Sequence, residues 1–329
     1  MKEFSVKKLA GIVLCFVLIV LAILIGLPRL GPQKPAETRG VQSEDFAAFK
    51  RVEYNGQKYV RRSGTTVALL IGVDKTDDAL RSGYRDGGQA DFLMVLVVDD
   101  VEKSVRMLHI DRDTMANITV LSVLGREVGT KCAQICLSHG FGATEEDNSR
   151  YTVQAVSHLL EGEGIDFYIS ANTNSIGRIN DALGGVTLTL QDDFSAYDAQ
   201  MVPGATLTLT GKQAEYMVRS RYDIADGTNE MRMSRQRQYI DAAALKLRAL
   251  CGNDAGFVRD FLTALDSVIT SDASMARIIN VFDRAAGYDI KPIEYLKGEH
   301  RIGPDGFMEF HAAEETATEW VLSALYKPE

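Results

Sequence analysis

66-TVALLIGVDK-75, 91-DFLMVLVVD-99 and 105-VRMLHIDRDT-114 hold three apolar runs, at residues 66–73, 92–98 and 105–110. Each is short, rich in β-branched residues and bounded by charged or glycine-containing sequence, the pattern of strands buried on both faces. Each also meets charge at one end. The first runs into Asp74, the second starts directly after Asp91, and the third ends at Asp111-Arg112-Asp113-Thr114. In open α/β sheets ligands bind beyond the carboxyl ends of the strands. Asp74 and Arg112 fit that rim, and Asp91 joins them if its strand runs antiparallel to its neighbour. A strand-end Asp taken alone is more often a cap or turn residue. Carboxylates beside arginines at one rim instead suit Mg2+ and a phosphate, because magnesium takes one or two carboxylates and completes its shell with water and phosphate oxygens.

Outward from these strands, Asn55-Gly56 within residues 51–61 marks a hairpin, since both turn positions tolerate positive φ. Residues 149–161 carry Val153, Val156, Leu159 and Leu160 at helical spacing, with Gly162 as a stop. Residues 165–170 read as a strand, 175–183 as a helix closed by Gly184-Gly185, and 186–190 as a returning strand. Thr210-x-x-Gln213 has the form of a capping box that opens a helix to about residue 218. Asn229 can cap a long helix to about residue 250, and helical stretches follow at 258–268, 275–286 and 314–325. Strands alternating with helices predict an α/β sheet covered on both faces.

Residues 9–27 (LAGIVLCFVLIVLAILIGL) contain no charge, and their length falls within the spanning range of about 17–25 residues. Lys2, Lys7 and Lys8 precede them, which favours a cytoplasmic N-terminus, although Arg29, Lys34 and Arg39 follow. A cleaved signal peptide usually has a shorter apolar core of about 7–15 residues and a small-x-small cleavage site. GLPRLGPQKP offers no good site, so an uncleaved signal-anchor in the cell membrane is expected. The predicted organisation is a cytoplasmic N-terminus at 1–8, a transmembrane anchor at 9–27, an extracytoplasmic tether and hairpin at 28–63, a catalytic domain at 64–250 and a helical extension at 251–329 packed on that domain.

The chain is acidic, with a formal net charge of -9. Nucleic-acid binding depends on phosphate neutralisation, so nucleic acid is not an expected partner. Yet Arg219, Arg221, Arg232, Arg235 and Arg237 crowd one short stretch. A solvated helix face is the ordinary explanation for such a run. Three features weaken it. Arg219 and Arg221 precede a polar loop with Asp223, Asp226 and Gly227. Arg232, Arg235 and Gln236 share one helix face at spacings of three and four. The anchor also places the cluster outside the cell, beside a membrane. Guanidinium forks suit phosphate oxygens, so Arg112, Arg219, Arg221, Arg232, Arg235 and Gln236 are candidate diphosphate ligands, Asp74 and Asp91 candidate Mg2+ ligands, and Asp91, Arg112, Arg219 and Arg221 the candidate catalytic residues. Asp91, Asp113, Asp223 and Asp226 are candidate bases.

Other chemistries fit poorly. The sequence has no GxSxG, HExxH or GxxxxGK[ST] motif, and no GxGxxG after a strand. His109 lies in an apolar strand and is expected to be a satisfied core residue. Cys15 lies in the apolar run. Cys132, Cys136 and Cys251 allow one disulfide with a free thiol, or three buried thiols, and no Cys/His set has zinc-finger spacing.

The segments LLIGVDK, GGQADFLMVLVVD, HIDRDTM, NDALGGVTLTL, LTGKQAEYMVRSRY and DGTNEMRMSRQRQYI together resemble the successive motifs of the LytR-CpsA-Psr family. The likeness covers roughly residues 66–247, in order. It implies an α/β/α sandwich with a central mixed sheet and a long apolar channel. It also implies transfer of an anionic glycopolymer, teichoic-acid-like or capsular, from a polyprenyl-diphosphate carrier onto peptidoglycan. The family's site residues fall on Asp74, Asp91, Arg112, Arg219, Arg221, Arg232 and Gln236. A prenyl-diphosphate-binding regulator without turnover, or a lipid pyrophosphatase, would use the same head-group contacts. There are departures. Gln89 stands where the family usually has Arg, Asp111 stands where Pro usually precedes the RDT motif, and a family Lys corresponds to Lys131 or Gln134. Residues 131–142 and the TNEMRM segment resemble a variant of clostridia-like relatives.

Overall fold

The computed structural model describes residues 50–74, 88–172, 175–220, 224, 229–253, 257, 260, 261, 265, 269–285 and 288–329. The expected anchor, Arg221, Asp223, Asp226 and most of the 258–268 helix lie outside them. Among the described residues no helix is long and apolar enough to cross a membrane.

The three apolar runs form the centre of a mixed sheet. β3 (Thr65–Val73), β4 (Ala90–Asp99) and β5 (Ser104–Ile110) are consecutive antiparallel neighbours. β4 is buried at every residue, so both faces of the sheet are covered. β8 (Phe167–Asn172) joins β3 in parallel, and β11 (Ile269–Ser271) closes that edge antiparallel to β8. On the far edge, β12 (Asp289–Ile290) and β13 (Glu294–Tyr295) pair parallel with β5. The helical extension expected at 251–329 is corrected here: this segment also supplies three short strands to the central sheet. Runs of two or three residues carry no periodicity, so composition could not reveal them.

The first strand pair outside the sheet is the expected hairpin, β1 (Arg51–Tyr54) and β2 (Gln57–Arg61), turned by Asn55 and Gly56 at φ 49° and 75°. After β5 come β6 (Met115–Leu121) and β7 (Glu127–Gln134), an antiparallel hairpin unforeseen because most of β7 is exposed and shows no alternation. A 3-10 turn, Ile135–Ser138, follows. α1 (Glu145–Leu159) begins earlier than the apolar spacing suggested, because its first turn is acidic. Thr144 caps it by accepting from Asp147 N, and Glu145, Glu146 and Asp147 complement the positive end of the helix dipole.

α2 (Ser175–Ala182) ends at Gly184 and Gly185, both at positive φ. β9 (Val186–Thr189) pairs only with β10 (Thr206–Leu209) in a separate ribbon. α3 (Gly211–Arg219) carries the complete capping box: Gln213 N donates to Thr210 Oγ1 and Thr210 N donates to Gln213 Oε1. α4 (Asn229–Asn253), α5 (Met275–Ala285), the hairpin β14 (Gly298–Ile302) and β15 (Met308–Ala312), and α6 (Thr316–Leu325) complete the domain. β16 (Tyr326–Pro328) returns to pair with β2. Buried Glu163 ties these ends together: it accepts from Tyr326 Oη at 2.7 Å, pairs with Lys50 and lies 3.3 Å from Arg61 Nη1.

One close approach fixes the rim of the sheet. Gly140 has φ +110°, and a Cβ there would stand 2.4 Å from Gly88 O. Gly140→Ala should therefore lose about 1–3 kcal/mol of stability from backbone strain alone, read as a lower urea midpoint of the full chain. An unchanged midpoint would show that this contact can relax freely.

Candidate functional site

The pairing of β3 with β4 passes from Gly72↔Phe92 to Val73↔Ala90, leaving Asp91 as an extra residue. A bulge of this kind re-aims a side chain and is common beside active sites. The amides of Asp74 and Asp91 both donate to Gln89 O, each at 2.9 Å. The antiparallel condition for bringing Asp91 to the rim is thus met, and the two carboxylates interact: the charge on Asp91 raises the Asp74 pKa.

Arg112 approaches from the loop after β5. Thr114 N and Thr114 Oγ1 donate to Asp111 O at 3.0 and 2.6 Å, and Asp113 N donates to Asp111 Oδ1 at 2.9 Å. This tight turn presents the guanidinium to Asp91 Oδ1 through Nη1, while Nη2 donates to Gln89 Oε1 at 2.5 Å and to Cys136 Sγ at 3.3 Å. Asp113 Oδ1 lies 3.3 Å from Nε. From α4, Arg232 Nη1 stands 3.6 Å from Asp91 Oδ2; from the end of α3, Arg219 Nη2 stands 3.9 Å from Asp74 Oδ1. Three of the expected arginines, from three separate segments, thus converge on Asp74 and Asp91. Arg112 and Arg232 are buried, whereas Arg219 keeps 22% of its side chain exposed.

Other expectations change. Arg235 is a correction: its Nη2 donates to Ser220 O at 2.6 Å and its Nη1 lies 3.4 Å from Asp192, so it holds the end of α3 in place. Gln236 donates to Val218 O at 3.4 Å and serves the same junction. Lys131 is exposed on β7, and Gln134 donates to Met308 O at 2.6 Å. His109 is buried as expected, yet it is not satisfied: its Nδ1 has no hydrogen-bond partner. Cys132 is exposed and Cys136 buried, both as free thiols, so of the two alternatives three buried thiols does not hold. Gln89 and Cys136 are site residues the motifs did not single out. The signal for Gln89 was its departure from the family pattern: an amide can accept from Arg112, whereas an arginine there could not. Burial pushes the Cys136 thiol up to about 12, so it meets Arg112 as a neutral group.

Burial, and secondly the charge on Asp91, push the Asp74 carboxyl up to about 7 against the pull of Arg219, Arg112 and Arg232. Among the described residues no three His, Cys, Asp or Glu side chains gather as a metal cage. Magnesium needs fewer protein ligands than that. Asp91 Oδ2 is buried and accepts no hydrogen bond, and burial together with the charge on Asp91 disfavours the ionised form of Asp74. A divalent cation between two such carboxylates would relieve both, so these donors fit Mg2+.

A model of the LytR_cpsA_psr family matches residues 34–320. The chain belongs to the LytR-CpsA-Psr family. The polyisoprenyl-teichoic acid–peptidoglycan teichoic acid transferase TagU of Halalkalibacterium halodurans is 32% identical to it over 174 residues, 53% of this chain and 50% of that protein. Biofilm regulatory protein A of Streptococcus mutans is 27% identical over 243 residues, 70% of this chain and 56% of that one. The chain therefore spans about half the length of these relatives. The crystal structure of protein gbs0355 from Streptococcus agalactiae superposes with a TM-score of 0.64 at 21% identity, covering 80% of this chain and 87% of that one. That likeness shows a shared α/β fold with its mixed central sheet. Within the LytR-CpsA-Psr motifs, Asp74, Asp91, Arg112, Arg219 and Arg232 are the matched residues that meet in space.

Proposed function

We propose that this LytR-CpsA-Psr protein is a membrane-anchored transferase. It would move an anionic glycopolymer from a polyprenyl-diphosphate carrier onto a peptidoglycan hydroxyl, as a phosphodiester. The convergence of Arg112, Arg219 and Arg232 on the Asp74–Asp91 pair carries this reading, and the relative named as a teichoic acid transferase supports it. Residues 9–27 would anchor the chain beside the lipid-borne donor, with a cytoplasmic N-terminus and the domain outside. The prenyl chain would occupy an apolar channel of the kind the family resemblance implies.

Asp74 and Asp91 would hold Mg2+, which supplies charge neutralisation on phosphate oxygens when bound. Arg219, the most exposed of the three arginines, is the first to meet the diphosphate, with Arg221 two residues on. Arg112 and Arg232 are locked by their carboxylate partners, so their positive charge is pre-organised where charge develops. The acceptor oxygen attacks the phosphorus that carries the glycopolymer, the bond to the bridging oxygen breaks, and polyprenyl phosphate leaves. The hydroxyl proton passes to one of the candidate bases Asp91, Asp113, Asp223 and Asp226, of which Asp91 and Asp113 are already engaged by Arg112.

The full chain with Mg2+, a lipid-diphosphate-linked saccharide and peptidoglycan fragments should yield a phosphodiester-linked product and free polyprenyl phosphate. Binding without product would favour a sensor, and lipid phosphate released regardless of acceptor would favour a pyrophosphatase. Arg219→Ala should weaken prenyl-diphosphate binding by about 10–150-fold, equivalent to roughly 1.5–3 kcal/mol for a charged hydrogen bond. Arg150, exposed on α1 and paired with Asp147, is the control. Equal losses in the two variants would mean diffuse attraction rather than a site.

A further inference from the structure

Three aliphatic side chains stand in solvent at the tip of the β6–β7 hairpin. Val123 and Leu124, in the turn, are each 79% exposed, and Val128 is 63% exposed. The exposure is built into the backbone. Ser122 N donates to Arg126 O at 2.7 Å and Gly125 N to Ser122 O at 2.9 Å, which closes the turn with Gly125 at φ 74°. Pairing then passes from Leu121↔Glu127 to Val120↔Gly129, so Val128 is an extra residue in a bulge, a device that re-aims a side chain. Among the described residues β6 and β7 pair only with each other, so the tip is a narrow ribbon.

Size and charge decide what covers it. Three side chains on a ribbon tip fall far short of the roughly 800 Å² per partner of a stable protein interface, so a second copy fits poorly. A bilayer needs no complementary shape. Apolar side chains enter its headgroup boundary to about 5–10 Å, while basic residues stay with the anionic headgroups. Arg126 in the turn and Lys131 on β7 are exposed, and among the described residues neither is ion-paired. Glu127 and Asp147 are both taken up by Arg150, at 3.9 and 3.0 Å. The β14–β15 hairpin also exposes Ile302 and Phe307, but its turn at 302–308 carries Asp305 and no basic residue, which suits an anionic surface less well.

The position of the tip matters as well. On α1, Asn148 Oδ1 accepts from Gly140 N and Gly142 N, beside Gly88 at the charged rim, while Arg150 reaches Glu127 at the base of the tip. The tip thus lies on the rim end of the domain. The chain enters the domain past the other end of α1, where Lys50 pairs with Glu163. Residues 28–49, between the proposed anchor and Lys50, reach at most about 70–80 Å at 3.3–3.6 Å each. The helix is only about 22 Å long at 1.5 Å per residue. The domain can therefore turn its rim, rather than its point of attachment, to the membrane. We propose that the β6–β7 tip dips into an anionic bilayer and aims the charged centre at substrate carried there. This assignment rests on the proposed anchor and lipid-borne donor.

The test uses the full chain in vesicles of phosphatidylethanolamine and phosphatidylglycerol, with or without bromine on the upper acyl carbons. Trp320 is the single tryptophan and is buried, so an added one reports its own surroundings. Leu124→Trp should lose most of its added emission to the brominated lipid. Val101→Trp, exposed after β4 at the end of the sheet away from the rim, should lose little. Arg126→Glu with Lys131→Glu should restore the emission of Leu124→Trp. Leu124→Ser should raise KM for a long-chain donor in vesicles by about 10-fold, the scale of burying one such side chain, and leave a short-chain soluble donor unchanged. A chain that floats with the vesicles but shows no quenching at Leu124→Trp would overturn the tip and leave the anchor standing. A chain that does not float would overturn both. Quenching at Phe307→Trp alone would give the contact to the other hairpin. Self-association in detergent that Leu124→Ser abolishes would give the tip to a second copy. Quenching at the tip without any glycopolymer transfer would support the membrane contact while removing the reaction.

Discussion

Asp91→Ala should lower the stability of the full chain by about 3–5 kcal/mol, the usual result of stripping the partner from a buried charge. Arg112 and Arg232 both lean on this one carboxylate and both are buried, so neither guanidinium can turn to water instead. Asp113 remains beside Arg112, which limits the damage on that side. Asp91→Asn keeps an acceptor for Arg112 while deleting the charge, and should fall between the native chain and the alanine variant. Urea unfolding followed by near-ultraviolet circular dichroism would measure the series. A loss below about 1 kcal/mol for alanine, the level of an exposed pair, would mean that the cluster is not held together as described.

Asp74→Asn should have the opposite sign above neutral pH. A carboxyl whose pKa rises from 3.8 unfolded to about 7 folded binds its proton more tightly in the native state. Its contribution is harmless below pH 4, turns unfavourable between about pH 4 and 7, and is fully unfavourable above that window. Asparagine removes the ionisation, so the variant should be more stable than the native chain by about 2–4 kcal/mol at pH 8, at 1.36 kcal/mol per pKa unit. At pH 4 the two chains should unfold together. Prenyl-diphosphate turnover should be lost in the same variant, a trade of stability for function. Added Mg2+ should stabilise the native chain and leave the variant largely unmoved. A pH-independent difference between the two chains would remove Asp91 and burial as the cause.

The three central strands β3, β4 and β5 were legible because each is an apolar run rich in β-branched residues, and Asp74, Asp91 and Arg112 stand directly at their ends. The capping box at Thr210 and Gln213 was legible for the same reason: its whole chemistry lies within four residues. The bulge was not, because Asp91 becomes an extra residue only through the pairing of β4 with β3. Arg235 shows the limit of helix-face logic. It shares a face with Arg232, but Ser220 O and Asp192 claim it once α3 packs against α4. The pairing of His300 with Asp111 spans 189 residues, beyond the reach of any local pattern. His109 was placed in the core correctly, yet its unmet Nδ1 could be seen only with its neighbours in place.

The β14–β15 hairpin is stitched to the loop after β5: Phe310 N donates to Asp113 O at 2.8 Å, and Thr114 bridges Phe310. β16 then pairs with β2, from the opposite end of the domain. Pairings of such long sequence separation form slowly, because loop closure must precede any gain from contact. A chain that has reached only residue 300 already carries Asp74, Asp91, Arg112, Arg219 and Arg232, but it lacks β15, which braces the loop bearing Arg112, and β16, which pairs with β2. The residues of the charged centre are therefore made before the strands that brace it. Any activity should switch on only after β15 and β16 have been made and docked, however long the rest of the domain has been waiting.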